Sequence, residues 1–188
     1  MLLSKRTLSI VLLIVLVLQV TGTGSKAKPA ALATQVSLSL SPASVTIPAQ
    51  RSFTEDVIVD CGANADAVGI VVTFNPTLLQ VVSVDADESQ FPQMLRNEYD
   101  NQLGIVWYDV GAPLGCHAEG NCPSGVVRIA TITFRAIAQA PQTADIRLRG
   151  QVTWSGEYIF SGEGSGSTVT ILPPPVMLYL PFVTRHYQ

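Results

Sequence analysis

From Ile70 to Val84 the chain reads Ile-Val-Val-Thr-Phe-Asn-Pro-Thr-Leu-Leu-Gln-Val-Val-Ser-Val, two runs of β-branched and apolar residues around Phe74-Asn75-Pro76-Thr77. Proline has no amide hydrogen for a sheet ladder and pushes the residue before it out of helical backbone, so the chain turns here. Asn followed by Pro also fits the opening of a type I turn. Upstream of the turn, Val68, Ile70, Val72 and Phe74 share one strand face, while Ala67, Gly69, Val71 and Thr73 share the other. Both faces are low in charge, as in a central strand covered on one side and nearly flat on the other.

Other segments repeat the strand signal. Val36 to Leu40 alternates strictly, and Val45 to Ile47 and Phe53 to Val59 follow between turn residues. The acidic residues Asp85, Asp87 and Glu88 open a less regular stretch that lasts to Asn101. Gly104 to Asp109 is the next strand. Gly125 to Ala138 is the longest alternating run, with Val127, Ile129, Thr131 and Thr133 opposite Val126, Arg128, Ala130, Ile132 and Phe134. Ala144 to Leu148, Gln151 to Trp154, Tyr158 to Phe160 and Thr168 to Leu172 bring the count to about nine strands. Gly162 to Ser167 lacks the lysine and following helix of a phosphate loop and reads as a turn. None of these segments has helical periodicity. The expectation is an all-β fold, an antiparallel nine-stranded β-sandwich with jelly-roll topology.

At 188 residues a single domain with short tails is expected. Residues 1–25 read as an export signal: Lys5 and Arg6, then an apolar run from Leu8 to Val20, then small residues. That run is shorter than the roughly 20 residues that span a bilayer, so no transmembrane span is expected in the mature chain; an uncleaved N-terminal anchor is the rival reading. Residues 26–34 read as a spacer, 35–172 as the folded domain, and 173–188 as a Pro-rich linker and tail. The expected location is secreted or cell-surface, where cysteines meet oxidising conditions. Charged residues make up 13% of the chain, the net charge is −3, and every cation after Lys28 is an isolated arginine. No basic stripe exists for a nucleic-acid partner.

Cys116 and Cys122 bracket a short Gly- and Pro-containing loop and read as a local disulfide. His117 and Glu119 could join the two thiolates around a metal ion. One histidine and no second C-x-x-C pair argue against this, and no metal ligand set is assigned. Cys61 is the odd thiol, either buried and free or paired with one of the other two.

The order of these segments resembles the cohesin domain, the jelly-roll module of cellulosome scaffoldins, which is related in fold to some cellulose-binding modules. Phe74-Asn75-Pro76 with its following Leu-rich strand is similar to the cohesin aromatic-Asp-Pro turn, with Asn75 in place of the usual Asp. Gly104-Ile-Val-Trp-Tyr108 resembles the glycine-initiated middle strand, the segment Gly125 to Phe134 a Gly-x-(apolar)-Ala strand, and Ser167 to Ile171 the closing strand. The likeness spans roughly Gln35 to Leu172. It implies binding instead of catalysis, with a dockerin-like protein module or a polysaccharide as partner and a role in polysaccharide binding or degradation. It also implies a contact face on the strand before the turn, through Ala67, Gly69, Val71, Thr73 and Asn75. In several cohesins the positions of Ala67 and Gly69 carry polar side chains. Tyr99, Trp107 and Tyr108 fall near the middle-strand contact region and form a candidate apolar patch. For Trp107, core packing is the competing reading, favoured by the weight of buried aromatics in sandwich cores.

Trp154, Glu157 and Tyr158, with Gln151 nearby, flank a hairpin turn at Ser155-Gly156 and form a candidate glycan site. Structural packing of Trp154 at the end of the sandwich is the alternative. Asp85, Asp87 and Glu88 form a candidate calcium loop, but they lack an EF-hand spacing, so no cofactor is assigned. His117 and His186 have no nucleophile-elbow context, and no G-x-S-x-G occurs, so a hydrolase is disfavoured. The tail after Pro173 resembles Tyr-Leu-Pro-(apolar)-Val-x-Arg endings of secreted proteins in some filamentous bacteria, which implies a sorting or attachment signal; a last strand packed on the domain is the alternative. Two readings follow: an extracellular cohesin-like binding module, or a surface structural or adhesion domain that keeps the fold without a dockerin partner.

Overall fold

The computed structural model describes residues 35–139 and 141–174. The expected leader, the spacer up to residue 34 and the tail beyond residue 174 lie outside these. The strands are β1 (Ser37–Ser41), β2 (Ser44–Pro48), β3 (Ser52–Asp60), β4 (Ala67–Thr73), β5 (Leu79–Ala86), β6 (Gln93–Asp100), β7 (Ile105–Gly111), β8 (Val126–Ala136), β9 (Gln142–Trp154), β10 (Glu157–Glu163) and β11 (Ser167–Leu172), with one short helix α1 (Cys116–Glu119). They form two sheets, one ordered β1-β3-β8-β5 and the other β2-β11-β9-β4-β7-β6, with β10 beside the far half of β9. The all-β, two-layered expectation holds.

Several details differ from the sequence reading. Eleven strands are described instead of nine, and β2 and β11 pair in parallel while the other ladders are antiparallel. The two expected strands at 144–148 and 151–154 are one continuous β9, because Arg147 to Thr153 pairs without interruption with β4. The irregular stretch after Glu88 contains β6, an edge strand whose polar sequence hides the alternation. The glycine-rich link before β11 is not a turn: Leu40 N donates to Ser165 O and Ser165 N to Leu38 O, both at 2.8 Å, so the link runs alongside β1.

Burial along β4 follows the sequence pattern. Val68, Ile70 and Val72 are buried with Phe74, and the residues between them are half-buried on the outer side. In β8 the alternation breaks. Val57 of β3 pairs with Ala130 and Ile58 with Arg128, leaving Ile129 bulged, so Ile129 and Ala130 are both buried. From Ala130 onward Ile132, Phe134 and Ala136 point inward. A bulge adds one residue to one strand and so reverses which parity faces the core. The core is anchored by Phe134, stacked on Phe53 at 5.6 Å and meeting Phe74 edge-on at 5.4 Å.

The turn after β4 forms as expected. Asn75 Oδ1 accepts from Thr77 N at 3.0 Å and Thr77 Oγ1 at 2.8 Å, and Asn75 O accepts from Leu78 and Leu79 N. Gly104 abuts this turn from the β6–β7 hairpin with φ +70°, and a Cβ there would lie 2.2 Å from Phe74 O. Only glycine meets both the left-handed backbone and the missing space.

Candidate functional site

The expected contact strand β4 lies in the middle of an extended surface, the outer side of β9-β4-β7-β6. Register places its side chains in cross-strand rows: Gln151, Gly69, Asp109 and Arg96; then Arg149, Val71, Trp107 and Glu98; then Arg147, Thr73, Ile105 and Asp100. Ala67 begins the same face, beside Thr153. The four β4 residues expected on a contact face are therefore neighbours on one surface. A shallow groove of about 370 Å³ crosses it, lined by Gly69, Val71, Trp107, Asp109, Arg149 and Gln151 among others.

Trp107 belongs to this outer face, half-buried, and not to the core. The Arg96 guanidinium lies 4.8 Å from its ring centroid, a cation–π contact, and donates from Nε and Nη2 to Glu98 Oε2 at 2.9 and 2.8 Å. Tyr108 is the residue that packs inside. It is fully buried, donates its hydroxyl to Ile129 O at 2.9 Å, and has its phenol pushed up to about 12 by burial and then by Glu88 and Asp87. It cannot touch a partner. Asp109 marked this parity in the sequence, since a carboxylate two residues from Trp107 on a strand puts both on the wet side. Arg96, Glu98, Ile105, Asp109, Arg147 and Arg149 are among the face residues that the sequence reading missed.

Tyr99 pairs with the inward-facing Val106, so it lies on the opposite side of β6, and its hydroxyl donates to Val82 O at 3.4 Å. Its neighbours act alike: Asn97 Nδ2 donates to Val84 O, and Asn101 both donates to Val81 O and accepts from Val81 N. These side chains cover the free backbone edge of β5, as a sandwich edge requires. Asn75 is occupied by its own turn, at the end of the face.

The candidate glycan pair separates. Glu157 is opposite Trp154 and Tyr158 opposite Thr153 in the β9–β10 ladder, so the two rings project from opposite sides. Trp154 packs against the core and is stacked by His117 at 4.2 Å, while Tyr158 is 65% exposed. His117 Nε2 also lies 3.3 Å from Asp66 Oδ2. Burial raises the Asp66 carboxyl, but hydrogen bonds from Thr153, His117, Ser155 and Gly156 outweigh it and hold the group below its usual range. Cys116 and Cys122 are joined in a disulfide, which uses both sulfurs that a metal would need beside His117. Cys61 is free and buried, its thiol pushed up to about 12 by burial and then by Asp60.

Two of the three acids of the candidate calcium loop have protein partners. Asp87 Oδ2 accepts from Arg128 Nε and Nη2 at 3.1 and 3.0 Å, its Oδ1 accepts from Ser89 N, and Asp85 accepts from Ser83. Among the described residues no helix is long and apolar enough to cross a membrane.

No protein-family model matches the sequence, and no curated protein is similar to it. Solved structures share its architecture. The third ScaC cohesin of Acetivibrio cellulolyticus, in complex with the ScaB dockerin, superposes with a TM-score of 0.59 at 16% identity, covering 73% of this chain and 99% of that one. The non-cellulosomal cohesin of the archaeon Archaeoglobus fulgidus gives 0.58 at 12% identity over 73% and 91%. A Clostridium thermocellum type I cohesin, in a cohesin–dockerin complex, gives 0.57 at 10% identity over 73% and 99%. The similarity lies in the order and pairing of strands far more than in residue identities, and by that measure the chain has a cohesin-type fold.

Proposed function

We propose that this chain is a non-catalytic, exported binding module that captures a dockerin-type protein on the outer face of β9-β4-β7-β6. One observation carries the reading: Val71, Trp107 and Ile105 form an apolar seam on a flat, open sheet surface, bordered by charged residues. An apolar centre with a polar rim is how a protein-binding patch is built. The likeness to cohesins whose structures were solved with dockerins supports the choice of partner. Service to polysaccharide binding or degradation, from the cell surface or in secreted form, follows from that partner and from the leader.

A glycan as direct ligand is the weaker reading, because Trp154 and Tyr158 present no common platform. A fold kept without a dockerin partner is the other alternative, favoured by the lack of polar side chains at Ala67 and Gly69.

The test is calorimetric titration of the full chain with a panel of dockerin modules, with Val71→Asp as the control for the face. Thr73→Arg, two positions further along β4 on the same face, serves as a second disruptor. Binding by one module that either variant reduces by at least about tenfold, roughly 1.4 kcal/mol, is expected. No binding by any module, or binding that both variants leave intact, overturns the proposal.

A further inference from the structure

Charged residues flank the apolar seam on both sides. On the β6–β7 side Arg96 is outnumbered by Glu98, Asp100 and Asp109; on the β9 side Arg147 and Arg149 share the face with Asp145 and with Glu163, which lies 3.5 Å from Arg149. Asp109 is the part-buried one of these groups that has no hydrogen-bond or ion-pair partner among the described residues. A Cβ on residue 69 would lie 2.7 Å from Asp109 Oδ1, so the carboxylate occupies the space over β4 that a side chain there would fill. Glycine at 69 thus lets a β7 acid reach across to the middle of the face. Arg96, opposite Asp109 in the ladder, gives its donors to Glu98 instead. Among the described residues no donor hydrogen-bonds the Asp109 carboxylate. Burial raises its pKa, with Arg96 opposing and Glu98 adding to the rise. A partly desolvated carboxylate without a donor costs free energy until one arrives.

We infer that this face selects a partner protein with a lysine or arginine placed to donate to Asp109 above Gly69 and with carboxylates placed to meet Arg147 and Arg149. The inference rests on the reading of this face as the binding surface. It adds which charge belongs where. Complementary charge sets orientation and encounter rate, while a charge pair desolvated at the centre governs dissociation. Asp109 and the two arginines therefore affect different rate constants.

The experiment uses the full chain and whichever dockerin module binds it, followed by calorimetry and by association and dissociation kinetics at low and high salt. Asp109→Asn keeps the shape and removes the charge. It is expected to weaken binding about 30-fold or more, chiefly by faster dissociation. Arg149→Glu is expected to slow association about tenfold at low salt and much less at high salt. If Val71→Asp abolishes binding while Asp109→Asn stays within about threefold of the parent, roughly 0.7 kcal/mol, the charge assignment is wrong and the face reading survives. If no module binds, or Val71→Asp has no effect, both are wrong. Unchanged melting temperatures of the variants show that binding, not folding, is being read.

Discussion

Glu55 is the residue whose position is hardest to reconcile with a sandwich core. It sits on the inner side of β3 among Phe53 and Val57, is fully buried, accepts a hydrogen bond from Ser167 Oγ at 2.8 Å through Oε1, and leaves Oε2 without a partner. Burial, opposed by the Ser167 hydrogen bond and reinforced by Asp56, pushes its carboxyl up to about 7. The folded state therefore favours the protonated acid. For a carboxyl raised on folding, the stabilising contribution is fully present below its unfolded value near 4.5 and declines as pH rises, reaching its floor above about 7. The span corresponds to about 3 kcal/mol. Stability should thus fall between pH 5 and 7.5, and Glu55→Gln should remove most of that slope; denaturant melts across this range are the measurement. Asp109, also raised by burial, leaves a residual slope in the same direction. Asp66 and Asp87 are lowered, so they act only in acid, outside the window. Parallel profiles for parent and variant would rule the assignment out.

At the scale of elements, β4 and its turn were legible because an inward and an outward set alternate without a break and Asn75-Pro76 stops the strand. The β8 faces were legible only as far as Ile129, since a bulge is decided by how two strands meet and not by either alone. β6 was missed for a different reason. It is an edge strand with polar residues on both sides, its inward Asn97 and Tyr99 spent on the backbone of β5. The outer face was half legible: β4 gave its residues, but Arg96, Asp109 and Arg149 join it through register, which pairwise sequence does not state. The α1 loop is closed covalently at its base, where Cys116 and Cys122 are also buried in the core. Its disulfide spans a separation of six residues, with His117 stacked on Trp154 as the second anchor. In the chain-entropy account, closing so short a loop contributes about 2 kcal/mol. Cys116→Ser with Cys122→Ser should lower stability by that amount and leave the outer face intact. A binding loss equal to that of Val71→Asp would show that the loop and the face are coupled after all.

Across the whole molecule the two sheets are joined at one side by β11 and the link that leads into it. Among the described residues β2 has β11 as its sole strand partner, β11 also pairs with β9, and Ser167 at its start holds Glu55 of the opposite sheet. The preceding link runs along β1 of that opposite sheet. β11 is thus a keystone whose loss frees β2, since β9 on its other side is also held by β4 and β10, whereas among the described residues β6 hangs from β7 alone at the far end of the same sheet. Ile171 is fully buried on β11 beside Ile47 of β2. Ile171→Ala should cost about 2–5 kcal/mol, as large-to-small changes in cores do. Because β2 has no other ladder, its amides should lose protection from hydrogen exchange together with those of β11, while β6 and β7 change only through the global opening. Amides of Val45 and Ile47 that stay protected while those of β11 open would mean that β2 is held by side-chain packing alone, and the keystone role would fall.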